Sequence, residues 1–405
     1  VLTAAELAAR YGTPLYVYRL DRVRRAATEL RAALPDGTRL YYSLKANSHP
    51  RLVAELRAQG LAAEVSSVGE LSTALDAGHP AADCLYTGPG KTREEVVRAI
   101  ALGVRLFSVE SAADRDRVAA AAVAAGVEVH LLVRLNGGAV GASGLRMTGR
   151  SSQFGVGPAA AEPVLDTTVA GVRPVGLHLF PATNVPDEDV LAAEFELSIR
   201  TAAETMDRVG LAPELIDVGG GFTSPFARPG RRPEYPKLRD ALERSLDTYL
   251  PGWRVGAPTV AFESGRYLVG DCGTLLTTVL DVKDSRGTRF VVLDAGINVL
   301  GGMGGTGRLL TAPVQPVGTR ADAAAATLTG PLCTPLDVLA RDARVDVDPG
   351  SVLEIPNVGA YGLSASLVAF LGRPIAAEVV LDGVDIVAAR RLELRAADIS
   401  NGSWG

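Results

Sequence analysis

The chain runs to 405 residues, 47% hydrophobic and 21% charged, which is enough for two domains and a large buried core. A net charge of -5, with acidic and basic residues interleaved, leaves no footprint for nucleic acid or a membrane surface. Three scattered cysteines (Cys84, Cys272, Cys333) cannot build a disulfide framework, and the histidines His49, His79, His130 and His178 lack paired metal-ligand spacing, so no metal is expected. The leading VLTAAELAARYGTPLYVY lacks the basic region and apolar run of a signal peptide. The Ala-rich stretch Val118–Val133 is broken by Gly126, Glu128 and His130 and does not read as a membrane span. A soluble, cytoplasmic protein with reduced thiols is expected.

Taken in order, a short strand is expected near Leu15–Tyr18. From about Asp21 to Val269, helices such as Leu20–Ala33 and Glu94–Leu102 carry apolar residues at three- and four-residue spacing. Short strand-like runs lie between them: Arg39–Ser43, Ala63–Ser66, Cys84–Tyr86, Leu106–Val109, Val129–Leu135, Val175–Leu179, Leu215–Val218 and Thr259–Glu263. About eight βα units over about 250 residues is the size of a (β/α)8 TIM barrel, placed at 20–268, with a doubly wound open sheet as the alternative. After Gly270, runs rich in Val, Thr and Leu (Thr274–Lys283, Arg289–Asp294, Ser351–Ile355, Ala376–Leu381) suggest a mostly antiparallel β domain over 269–405, to which 1–19 contributes a strand. Pro225–Pro236 and Gly301–Gly307 read as long loops.

In a barrel, chemistry gathers at the C-terminal ends of the strands. The first strand runs into Lys45-Ala46-Asn47, where partial burial would lower the amine's pKa for imine formation; a snorkelling surface lysine is the plain alternative. The second ends in Glu64-Val65-Ser66-Ser67-Val68-Gly69-Glu70-Leu71, in which Ser67 is equally well an N-cap. Gly219-Gly220-Gly221 after Ile216-Asp217-Val218 lets backbone N–H groups approach a phosphate, or makes a flexible turn. In Glu263-Ser264-Gly265-Arg266-Tyr267 the carboxylate suits a pyridine nitrogen and Arg266 a phosphate, unless the two simply pair. Together these are the groups pyridoxal phosphate (PLP) requires.

At these residues the sequence resembles the alanine racemase-like, fold-type III PLP enzymes, and within them the ornithine/diaminopimelate decarboxylase group, from about Tyr11 to Gly372. Tyr42-Ser43-Leu44-Lys45-Ala46-Asn47 matches the lysine segment, and Glu263-Ser264-Gly265-Arg266-Tyr267 is similar to Glu-Pro-Gly-Arg-Tyr with Ser264 in place of proline. Gly330-Pro331-Leu332-Cys333 resembles the loop of the catalytic cysteine, and Gly359-Ala360-Tyr361-Gly362 the loop whose tyrosine reaches the cofactor. The resemblance implies a PLP imine on Lys45, a phosphate held by Thr183, Gly220, Gly221, Arg266 and Tyr361 near Gly265, and Glu263 on the ring nitrogen. It also implies Cys333 as proton donor to Cα, and a homodimer in which Cys333 and Tyr361 act across the interface.

Two departures bear on the substrate. Gly176-Leu177-His178-Leu179-Phe180-Pro181-Ala182-Thr183 aligns with a segment that often reads Gly-Leu-His-x-His-Ile-Gly-Ser, so Phe180 stands where a histidine stacks on the PLP ring and Thr183 where a serine meets the phosphate, with His178 retained as a further cofactor-binding residue. Thr334 stands where relatives place an Asp or Glu that reads the distal end of a diamino acid, and a site without that carboxylate rejects a buried ammonium. These features look more like decarboxylases of natural-product pathways, some of which take amino acids on an acyl carrier protein. Arg228, Arg231 and Arg232 are candidates for docking a carrier, at no better weight than solvated loop charges.

Decarboxylation of an amino acid or derivative, free or carrier-bound, is therefore expected. A free diamino acid decarboxylase, an amino-acid racemase and a non-catalytic PLP-binding homologue are the alternatives. Alanine racemases continue past the lysine with Tyr-Gly-His-Gly, whereas Asn47-Ser48-His49-Pro50 follows here. Gly302-Met303-Gly304-Gly305-Thr306-Gly307 fits Gly-x-Gly-x-x-Gly, but the helix a nucleotide-binding fingerprint needs is not indicated, and a mobile loop is expected instead.

Overall fold

The computed structural model describes residues 2–138, 145–146, 152–301 and 314–396; the Gly302–Gly307 motif lies outside them. Two compact units are present, one of residues 20–225 and 231–271, the other of 1–19, 226–230 and 272–405.

In the first unit eight parallel strands close into a barrel: Arg39–Ser43, Ala62–Val65, Leu85–Tyr86, Leu106–Val109, Val129–Leu135, Val172–Leu179, Leu215–Asp217 and Thr259–Ser264. The last pairs with the first, Phe262 opposite Leu40, so the open sheet is excluded. Helices start where side chains satisfy the free N–H groups of the first turn: Ser67 accepts from Glu70 N, and Thr92 forms a capping box with Glu95. The barrel interior is filled by Tyr41, Leu85, Leu106, Leu132, Val175, Leu215 and Ala261. The sixth strand skips one residue in its register with the fifth between Leu131 and Leu132, where Gly176 lies so close to Leu215 that any Cβ would collide with its carbonyl.

The second unit is built on an eight-stranded sheet. Its order is Val338–Arg344, Ala325–Thr329, Thr288–Leu293, Gly273–Ser285, Leu15–Arg19, Ala377–Asp382 and Asp385–Arg391, with Val352–Pro356 also paired to Gly273–Ser285. Pairings are antiparallel except Leu15–Arg19 with Ala377–Asp382 and Thr288–Leu293 with Ala325–Thr329. Leu7 of the helix Ala4–Tyr11 packs on Leu15, Val17, Leu276, Val379 and Leu381. Among the described residues no helix is long and apolar enough to cross a membrane.

Candidate active site

Side chains two apart on a strand share a face. On seven of the eight barrel strands the residue two after an interior apolar one is polar and buried: Ser43, Glu64, Thr87, Ser108, Arg134, Asp217 and Glu263. On the sixth strand the register skip at Gly176 brings His178 opposite Asp217 instead. The C-terminal end of the barrel is therefore a polar layer laid directly on an apolar one. Among these residues, Ser108 and Asp217 escape a sequence reading that follows motifs, although the apolar-then-polar step repeated on successive strands was the signal for them.

Lys45 lies in the short helical turn Leu44–Ala46 that leaves the first strand. That turn carries its side chain past the apolar layer onto the rim, where it is 41% exposed. Its ammonium lies 3.0 Å from Glu64 Oε2 and 5.8 Å from the centre of the Phe180 ring. Glu64 is buried and also accepts from Thr87 Oγ1 and, at 3.3 Å, Ser66 Oγ. Burial opposes the Glu64 charge, but the Lys45 ammonium and the hydrogen bonds outweigh it and hold the carboxyl well below the usual range. Glu70, whose Oε2 accepts from Ser66 N at 2.7 Å, is instead pushed up to about 7 by burial.

The glycine triplet is demanded by crowding as much as by turning. A Cβ on Gly219 (φ +74°) would collide with Leu179 O and the Phe180 backbone, and one on Gly220 with Glu263 O. The loops after strands six, seven and eight thus meet backbone to backbone, tied by Glu263 N donating to Gly219 O (2.8 Å) and Val185 N to Gly221 O (2.9 Å). Thr183 lies in the same Pro181–Val185 segment, half-buried. Gly265 passes so near the Lys45 turn that its Cβ would sit 2.8 Å from Ala46 Cβ; it precedes the short helix Arg266–Val269.

Beneath this rim His178, Asp217 and Glu263 place one potential ligand atom each within 4.8 Å of one another, all buried. His178 Nε2 lies 3.3 Å from Glu263 Oε1, without the alignment of a hydrogen bond. Burial, then the charge of Glu263, pushes Asp217 up to about 7.

The structure thus gathers Lys45, His178, Phe180, Thr183, Gly220, Gly221, Glu263, Gly265 and Arg266 at one end of the barrel unit. Cys333, Thr334 and Tyr361 belong to the other unit. There Cys333 is exposed, Thr334 and Tyr361 are half-buried, and Tyr361 has φ 54°. The Cys333 loop is shaped by buried Asp337, which accepts from Ile297 N (2.8 Å) and Leu332 N (2.7 Å). One guess fails: the Arg232 side chain is only 4% exposed, is ion-paired with Glu29 and Asp271 and lies over the Tyr267 ring, so it cannot greet a carrier protein.

The family profile described as "Pyridoxal-dependent decarboxylase, pyridoxal binding domain" matches residues 20–270. The chain is 30% identical to "L-glutamyl-[BtrI acyl-carrier protein] decarboxylase" of Niallia circulans, over 94% of this chain and 92% of that one. It is likewise 30% identical to the diaminopimelate decarboxylase of Zymomonas mobilis, over 93% and 90%. A crystal structure of diaminopimelate decarboxylase from Helicobacter pylori complexed with L-lysine superposes with TM-score 0.82 at 25% identity, covering 96% of this chain and 95% of that one. With a closed barrel carrying a lysine and a buried carboxylate layer at one end, and a profile spanning that whole barrel, the chain belongs to the family of PLP-dependent amino-acid decarboxylases.

Proposed function

We propose that the chain removes the α-carboxylate of an amino acid joined through its distal end to an acyl carrier protein, with PLP carried on Lys45. One observation supports the assignment of Lys45 most directly. The sequence has four lysines, and of these only Lys45 places its ammonium on a carboxylate of the polar layer, Glu64. Lys91 is buried against Asp114 at 2.7 Å, and Lys237 and Lys283 are 72% and 61% exposed.

The cofactor fits the residues present. A buried imidazole with two buried carboxylates calls for a cation, and a protonated ring nitrogen is one. The backbones crowded at Gly219 and Gly220 leave room only for glycine, as a phosphate cradle needs. In this reading Thr183, Gly220, Gly221, Arg266 and Tyr361 hold the phosphate beside Gly265, Phe180 packs on the ring face, and Glu263 keeps the ring nitrogen protonated. Bound there, PLP supplies a sink for the electron pair released when the Cα–carboxylate bond breaks. Cys333 returns a proton to Cα.

Thr334 supports the choice of substrate. A neutral hydroxyl suits the uncharged thioester end of a carrier-bound amino acid, whereas a diamino acid brings an ammonium that needs a carboxylate. A free diamino acid is the second reading, supported by the diaminopimelate decarboxylases among the relatives. We further assign a homodimer with Cys333 and Tyr361 acting across its interface, a cytoplasmic location and a natural-product pathway. Mass spectrometry for loss of CO2 tests the substrate: aminoacyl carrier proteins should lose it and free diamino acids should not. The reverse result would install the second reading.

A further inference from the structure

Ser108, His178, Asp217 and Glu263 come from four different barrel strands and are 0, 1, 0 and 1% exposed. Ser108 Oγ lies 2.8 Å from His178 Nδ1, and the opposite ring nitrogen faces Glu263 Oε1 at 3.3 Å. Asp217 Oδ1 accepts from Gly219 N at 2.8 Å, while its Oδ2, with His178 Nε2 and Glu263 Oε1, completes no hydrogen bond among the described residues. A serine sealed in a barrel interior usually returns its hydroxyl to its own backbone; this one is turned across the barrel to an imidazole.

The consequence follows from the chemistry of the ring. A neutral imidazole carries one N–H. If Ser108 donates to Nδ1, the hydrogen sits on Nε2, on the side of the ring where Glu263 Oε1 lies 3.3 Å away, which is attractive. In the other tautomer the Nε2 lone pair would face a carboxylate oxygen at 3.3 Å, with both residues buried. Two carboxylates this close in a buried site do not both ionise freely. Burial and the charge of Glu263 push Asp217 up to about 7, and Glu263 is the member whose oxygen lies beside the imidazole.

We propose that Ser108 is a positioning residue: acting through His178, it fixes the orientation of Glu263, the carboxylate assigned to the ring nitrogen. This rests on that assignment of Glu263 and extends it to a residue that touches neither cofactor nor substrate. The string runs Ser108 to His178 to Glu263, with Asp217 beside it.

A double-mutant cycle on the full-length protein tests it, read as the PLP dissociation constant and the pH response of the bound cofactor's visible band. Ser108→Ala should weaken PLP about tenfold and shift that pH response, and Ser108→Thr should restore both. In a His178→Gln background, Ser108→Ala should add nothing. Additive losses, or a Ser108→Ala protein that melts earlier with unchanged affinity and band, would overturn the proposal. Should Ser108→Ala not fold, Ser108→Cys, a weak donor of nearly the same size, carries the same cycle. Glu263→Gln separates the two levels: if it leaves affinity and band unchanged, the assignment of Glu263 falls and the string with it, whereas a strong Glu263→Gln effect beside an additive cycle rejects Ser108 alone.

Discussion

The Lys45 ammonium lies 3.0 Å from Oε2 of Glu64, a carboxylate with 1% of its side chain exposed. Glu64 is thus the anchor that holds the amine over the polar layer. Glu64→Ala removes the buried acceptor shared by Lys45, Thr87 and Ser66 and should lower stability by about 1–3 kcal/mol, with Glu64→Gln less damaging. The depressed Glu64 pKa means that its contribution is present above about pH 4.5 and is lost as the pH falls toward about 2. Thermal melts of wild type and Glu64→Gln should therefore converge on acidification.

Glu70 has the opposite sign. Its carboxyl is raised from 4.5 to about 7, so the fold prefers it protonated, and that stability fades as the pH rises through about 7. Glu70→Gln keeps an acceptor for Ser66 N and cannot ionise. Its melting temperature should gain on wild type between acidic and alkaline buffer; a constant gap would show that Glu70 ionises normally.

At Gly220 there is no space for a methyl group, because a Cβ would collide with Glu263 O. Gly220→Ala should cost about 1–3 kcal/mol in chemical unfolding and weaken PLP in direct titration, since the end of the eighth strand must move. Gly210, a left-handed helix cap with open space around its Cβ position, is the control: alanine there pays only for its backbone conformation and should spare PLP affinity.

Cys333 is exposed while Cys84 and Cys272 are buried. A thiol reagent should label one cysteine rapidly in the native protein, and Cys333→Ala should abolish that reaction. Asp337→Ala, by leaving the buried amides of Ile297 and Leu332 unpaired, should cost about 1–3 kcal/mol for each amide and speed labelling of Cys333.

The sequence made the barrel legible because most strands are short apolar runs followed by a helix cap or glycine, as at Val65 before Ser67 and Asp217 before Gly219. Less legible were strands whose composition contradicts their place. Ala325–Thr329 is poor in large apolar residues, Val338–Arg344 carries three charges and pairs through bulges, and Asp385–Arg391 is an edge strand. At the site, residues in linear motifs (Lys45, Gly220, Glu263, Arg266) could be found one segment at a time. Ser108 and Asp217 could not, because their meaning lies in neighbours on other strands. His178 is legible in the Gly176–Thr183 segment, but its placement opposite Asp217 comes from the register skip at Gly176, which no alternation rule foresees.

Borohydride reduction of the PLP-loaded protein, followed by peptide mass mapping, fixes the covalent site among four lysines. The pyridoxyl mass should sit on the peptide bearing Lys45 and vanish in Lys45→Ala. Its appearance on Lys91, Lys237 or Lys283, or on no lysine at all, would contradict the placement of the cofactor at this end of the barrel.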